Sequence, residues 1–137
     1  MKILNRICLI CLMLLAYSCN KSDDDSDSAT QLTTAELLTT GTWYFESKTP
    51  GTYTSCEKKG NIQFMVNGNL TLESFDESSG TCESLGQDTA TYTLTNNSNL
   101  TIVFGSDSQS AVIKAISEDE LTLETDEETL VFDKTEG

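Results

Sequence analysis

The chain has 137 residues, 22 of them acidic and eight basic, no histidine, and a formal charge of −14. So acidic a balance excludes nucleic acid, which needs basic surface, and opposes adhesion to anionic lipid headgroups. Without histidine there is no His-based triad and no His-ligated zinc; no phosphate-cradling glycine loop occurs either, so neither cofactor nor metal is expected.

Lys2 and Arg6 precede an apolar run from Ile7 to Ala16 that is too short to span a bilayer and has the plan of a secretory signal. The end of that run, Ala16-Tyr17-Ser18-Cys19, resembles the lipobox of bacterial lipoproteins, which implies cleavage before Cys19 and a lipid on its thiol; the alternative is an ordinary signal-peptidase site. Residues 1–18 are then the signal peptide, 19–31 an acidic tether and 32–137 the folded domain. The mature chain keeps all 22 acids and loses Lys2 and Arg6, which leaves −16. Cys8 and Cys11 leave with the signal and Cys19 carries lipid, so Cys56 and Cys82 remain as a pair for a disulfide in an oxidising compartment. The Ser/Asp-rich tether cannot bury apolar area. Its Asp23-Asp24-Asp25 run resembles the Bacteroidetes-type signal that sends lipoproteins to the cell surface. That resemblance implies a lipid anchor in the outer membrane and exposure to the outside, the periplasmic face being the alternative.

The folded domain starts on Leu32-Thr33-Thr34-Ala35-Glu36-Leu37. Thr33 and Glu36 form a capping box, Leu32 and Leu37 a hydrophobic staple, and Gly41 stops the helix after one or two turns. From Gly41-Thr42-Trp43 onward the apolar period is two, the signature of strands with one buried face. Ile62, Phe64 and Val66 alternate in a second strand. Asn67-Gly68 predicts a tight hairpin with positive φ at both residues, leading into Leu70 and Leu72. Ala90 to Leu94 and Leu100 to Phe104 follow around a turn at Asn96–Asn99. Ala111 to Ile116 is a sixth strand, in which Ile113 and Ile116 differ in parity and so predict a bulge. Leu121-Thr122-Leu123 and Leu130-Val131-Phe132 complete eight.

Eight short strands joined by hairpins predict an all-β, antiparallel up-and-down barrel with the helical turn plugging one end, since closure removes both exposed sheet edges. Its interior is expected to hold Trp43, Phe45, Phe64, Val66, Leu70, Leu72, Tyr92, Leu94, Ile102, Phe104, Leu121, Leu123, Leu130 and Phe132, leaving at most a shallow pocket near the mouth. Turns of a meander alternate between ends. The connections 49–60, 76–88, 105–109 and 125–128 therefore form an open end that includes Cys56 and Cys82. The tight turns at 67–68, 96–99 and 117–119 share the plugged end with the helix. The acid clusters Glu118-Asp119-Glu120 and Asp126-Glu127-Glu128 fall at opposite ends and cannot combine into a Ca²⁺ site or a catalytic carboxylate pair. They read as solvated turns, and no enzyme is expected.

The helical turn, the Gly41-Thr42-Trp43 motif and the eight strands resemble the lipocalin/calycin superfamily, in particular the small lipocalin-like domains of bacterial lipoproteins. The resemblance implies that Trp43 packs at the closed end under a basic side chain after the last strand, for which Lys134 is the candidate. It also implies a small hydrophobic or amphipathic ligand at the open end. There Lys48, Tyr53, Lys58 and Lys59 in the first loop and Leu85 in the second are the candidate mouth residues, a positive and aromatic rim suited to an anion. The rival expectation is a filled barrel serving as a scaffold whose disulfide-linked loops contact a glycan or a protein. Asp27-Ser28-Ala29 and Asp88-Thr89-Ala90 resemble the Bacteroidetes-type O-glycosylation motif, which marks Ser28 and Thr89 as candidate sites. A monomer is expected.

Overall fold

The computed structural model describes residues 31–137; the signal segment, the lipidation site Cys19 and the candidate glycosylation site Ser28 lie outside them. One compact unit spans Leu32–Gly137. It opens on helix α1 (Thr34–Leu38). Thr33 caps α1: its hydroxyl oxygen accepts the Glu36 amide at 3.3 Å while its own amide donates to the Glu36 carboxylate at 2.8 Å. Leu32 is exposed, and Leu38, fully buried, anchors the helix in the core.

Eight strands follow: β1 (Thr42–Thr49), β2 (Asn61–Phe64), β3 (Asn69–Asp76), β4 (Glu83–Thr95), β5 (Asn99–Phe104), β6 (Asp107–Ile116), β7 (Glu120–Glu124) and β8 (Thr129–Asp133). Each pairs with the next, and β1 pairs with β8, so the sheet closes into an antiparallel up-and-down barrel. The closing seam runs from Tyr44 opposite Asp133 to Thr49 opposite Thr129, with a bulge between Phe45 and Ser47. A second bulge lies between Ile113 and Ala115. It resolves the parity conflict in β6: Ile113 is buried, and Ile116, beyond the bulge, packs on the same core.

Several boundaries differ from the sequence expectation. The turn after β2 has positive φ at Gly68 only. Gly68 donates to Met65 O at 3.0 Å and Met65 to Asn69 O at 2.9 Å, a wider turn closed by a left-handed glycine. Val66 therefore stands at the turn, 91 % exposed, rather than inside the barrel. Paired positive-φ residues occur instead at Asn96 and Asn97. The long loops assigned to 76–88 and 105–109 shrink, because β4 begins at Glu83 and β6 at Asp107, which leaves Gly105-Ser106 as the whole turn. The β3–β4 pairing continues through a bulge to Asp76 opposite Glu83, forming a long ribbon on the mouth side.

The core fills the half of the barrel nearest α1. Trp43, Phe64, Phe132, Leu70, Leu100 and Leu121 are fully buried there with Leu38. The Trp43 indole Nε1 donates to the Leu38 carbonyl at 2.9 Å and so pins the helix to the base. Lys134 Nζ stands 3.2 Å from the centre of the Trp43 ring system. Burial pushes the Lys134 pKa below its ordinary value, and the Asp119 charge opposes that shift. Its Nζ has no hydrogen-bond partner among the described residues, and its contact with the indole face is worth about 1–2 kcal/mol.

At the other end Cys56 and Cys82 are joined as a disulfide, with Cα atoms 5.4 Å apart across 26 residues of sequence. Closing a loop of that length stabilises the fold by roughly 3–4 kcal/mol. A Cys56→Ala/Cys82→Ala double variant is expected to lose about that much in urea unfolding while keeping its barrel far-UV spectrum; an unchanged midpoint would mean that the bond constrains nothing.

Candidate ligand cavity at the barrel mouth

The mouth is shaped by the β1–β2 connection, residues 50–60. Within it Thr54 and Glu57 repeat the device that starts α1. The Thr54 amide donates to the Glu57 carboxylate at 2.7 Å, and the Glu57 amide donates to the Thr54 hydroxyl at 3.2 Å. The backbone hydrogen bond from Thr54 is the main reason the Glu57 pKa lies below its ordinary value. The resulting single turn, Glu57–Lys59, is fastened to the β3–β4 ribbon through buried Cys56. Gly60 then passes beneath Phe45, whose amide donates to the Gly60 carbonyl at 2.9 Å. A Cβ at Gly60 would collide with the Phe45 ring, so no larger residue fits without displacing it.

Held in this way, the loop folds Tyr53 over the barrel. Its ring stacks on Phe45 with centroids 5.1 Å apart, and Phe45 leans on Phe132 at 5.3 Å. Lys48 Nζ lies 4.6 Å from the Tyr53 ring centre. Tyr53 is half-buried, and its pKa is pushed up from 10.0 to about 12, first by desolvation and then by the charges of Glu128 and Glu57.

The aromatic stack closes one side of the mouth and leaves a cavity of about 140 Å³ on the other. Leu72, Ile102, Phe104, Leu123 and Leu130 line it, with Phe45 and Phe132 as its back wall and Gln109, Ser110 and Thr125 at its rim. The same three rim residues also border an outer groove of about 380 Å³ that runs past Ser108 to Asp126, Glu127 and Glu128. A larger concavity, about 500 Å³, lies across β3, β4 and β5, where outward-facing threonines and Met65 form an open saddle without an enclosed apolar interior. Thr89 sits in that saddle, its side chain exposed and its backbone paired opposite Thr71.

Of the five mouth residues read from sequence, only Lys48 and Tyr53 come together. Lys58 is spent on Glu46 at 3.0 Å, away from the cavity. Lys59 ends the short turn, and Leu85 lies 69 % exposed on the ribbon; neither borders the cavity. The expected positive rim is therefore not assembled: Lys58 follows Glu46, and neither Lys58 nor Lys59 lines the cavity. The rim residues Gln109 and Thr125 escaped notice because they fell in stretches read as loops. The second capping box was visible as Thr54-Ser55-Cys56-Glu57.

With barrel, plug and mouth in place, comparison with known proteins is informative. The lipocalin-like domain family matches residues 39–123, well over half of the chain. The chain belongs to this family. Two solved structures share the lipocalin-like fold. A lipocalin-like protein from Bacteroides uniformis has a TM-score of 0.54 at 14% identity, over 72% of this chain and 99% of its own. An uncharacterized protein from Bacteroides eggerthii has a TM-score of 0.53 at 12% identity, over 69% of this chain and 98% of its own. No curated protein matches the chain.

The pKa of Tyr53 fixes a dependence on alkaline pH. The unfolded phenol ionises near 10.0 and the folded one near 12, so this contribution to stability is complete below pH 10.0 and disappears as pH rises to about 12. A Tyr53→Phe variant of this lipocalin-like protein keeps the stack and should lose that segment of the stability–pH curve. Ultraviolet titration should show the Tyr53 ionisation near 12 in wild type and its loss in the variant, while Tyr92, raised by its own burial, ionises late in both.

Proposed function

We propose that this lipocalin-like protein binds a small apolar or amphipathic molecule in the mouth cavity and holds it near the cell envelope through a lipid on Cys19. The observation that carries the binding half is the cavity itself: about 140 Å³, walled by aliphatic and aromatic side chains, and bordered by a groove open to solvent. Apolar cavities near 150 Å³ stay dry and accept a benzene-sized guest. The filled lower half argues against a long acyl chain lying along the barrel axis. The fold supports binding rather than chemistry.

The alternative role, as a scaffold touching a glycan or protein, draws on one observation: Leu85 is exposed on a ribbon fixed by the disulfide. The neutral probe 2-phenylethanol discriminates the two. Titrated into the purified full chain, it should give saturable shifts of the Leu72, Ile102 and Leu130 methyl resonances. Those shifts should disappear in Gln109→Trp, which covers the opening from an exposed position. An absence of saturable shifts in wild type would favour the scaffold.

The lipobox-like Ala16-Tyr17-Ser18-Cys19 and the following acidic run support anchoring in the outer membrane with the domain outside. Labelling cells with an alkynyl fatty acid should tag wild type but not Cys19→Ala, and protease added to intact cells should remove the wild-type domain. Labelling with full protease resistance would place the anchored domain on the periplasmic face instead.

A further inference from the structure

The charges around the cavity mouth are of nearly one sign, which bears on the kind of ligand it takes. Cross-strand partners share a face, so the register assigns each rim residue to the inside or the outside. Asp88 stands opposite Leu72, Asp107 opposite Phe104, and Gln109 opposite Ile102. All three partners line the cavity, so these residues stand on the inward face. Asp126, Glu127 and Glu128 border the adjoining groove, which shares Gln109, Ser110 and Thr125 with the cavity. Their turn is fixed: Thr125 donates its amide to the Glu128 carbonyl at 2.8 Å, and its hydroxyl accepts the amides of Glu127 and Glu128.

Against these five carboxylates the described residues place one cation on the inward face of the mouth, Lys48, opposite Leu130 and drawn over Tyr53. Lys58 is paired with Glu46 elsewhere. The chain as a whole carries −14, so its long-range field also favours an approaching cation over an anion.

We propose that the ligand is a small cationic amphiphile, a primary amine bearing one ring or a short alkyl group, with its apolar part between Leu72, Ile102, Phe104 and Leu130 and its ammonium at the rim among Asp107, Asp126, Glu127 and Glu128. This rests on the cavity-binding function proposed above and adds the sign of the headgroup. The volume limits the apolar part to about the size of benzene. The outer groove gives the ammonium a place that stays hydrated, so its desolvation cost is small while it remains close to several carboxylates.

Three probes with closely similar apolar bodies test the sign: 2-phenylethylammonium, 2-phenylethanol and 3-phenylpropionate, titrated into the purified full chain at low ionic strength. The ammonium is expected to bind about tenfold more tightly than the alcohol, and the carboxylate most weakly, as several screened attractions would give. The preference should fall below about threefold in 0.5 M salt and in Asp126→Asn/Glu127→Gln/Glu128→Gln, a variant whose folding is verified by an unchanged far-UV spectrum. If alcohol and ammonium bind equally, or the carboxylate binds best, the sign is wrong although the cavity still binds. If the preference survives in the triple variant, the headgroup site is misplaced. If none of the three binds, the cavity function fails and this inference fails with it.

Discussion

The hydrogen-bonded seam between β1 and β8 is the constraint on which the other features depend. A barrel of eight short strands has no spare area with which to cover an exposed edge, so the first and last strands must meet. Here they do so through five residue pairs and one bulge. The seam places Trp43 and Phe45 on the same strand at two depths of one interior. It also places Phe132 beside Phe45, and Lys134 just past the last strand above Trp43. Closure thus determines where the barrel is stoppered and where it stays open.

The two ends are built by the same local device used for different purposes. A Thr-x-x-Glu capping box starts α1, whose Leu38 carbonyl receives the Trp43 indole hydrogen. Another organises the turn after Tyr53, and there a disulfide and the tight passage of Gly60 under Phe45 take the place of core packing. The base is rigid because it is filled. The mouth is rigid because its loop is tied at Cys56, and that lets a partly empty interior persist beside the Phe45–Tyr53 stack.

The eight strands, the closure and the sorting of turns between ends were legible because alternation and turn chemistry are local. The β6 bulge was legible too, since Ile113 and Ile116 cannot share a face without one. What escaped was set by contacts across the chain. Asn67-Gly68 looks like a two-residue turn, yet the pairing of Met65 with Asn69 moves the turn back and expels Val66. Lys58 looks like a rim residue until the Glu46 pair draws it away. Gly60 has an ordinary φ of −58°, and only the nearby Phe45 ring requires a glycine there. The disulfide followed from counting cysteines, whereas the cavity it helps to hold open did not.

Trp43 is the sole tryptophan of the chain, and it lies fully buried at the stoppered base with an ammonium over its face. Its ultraviolet emission is therefore governed by a dry neighbourhood beside the Lys134 side chain, at the far end from the cavity. Intrinsic fluorescence will follow loss of the whole barrel and stay nearly silent when a guest enters. A flat emission titration on this protein is thus no evidence that the mouth is empty.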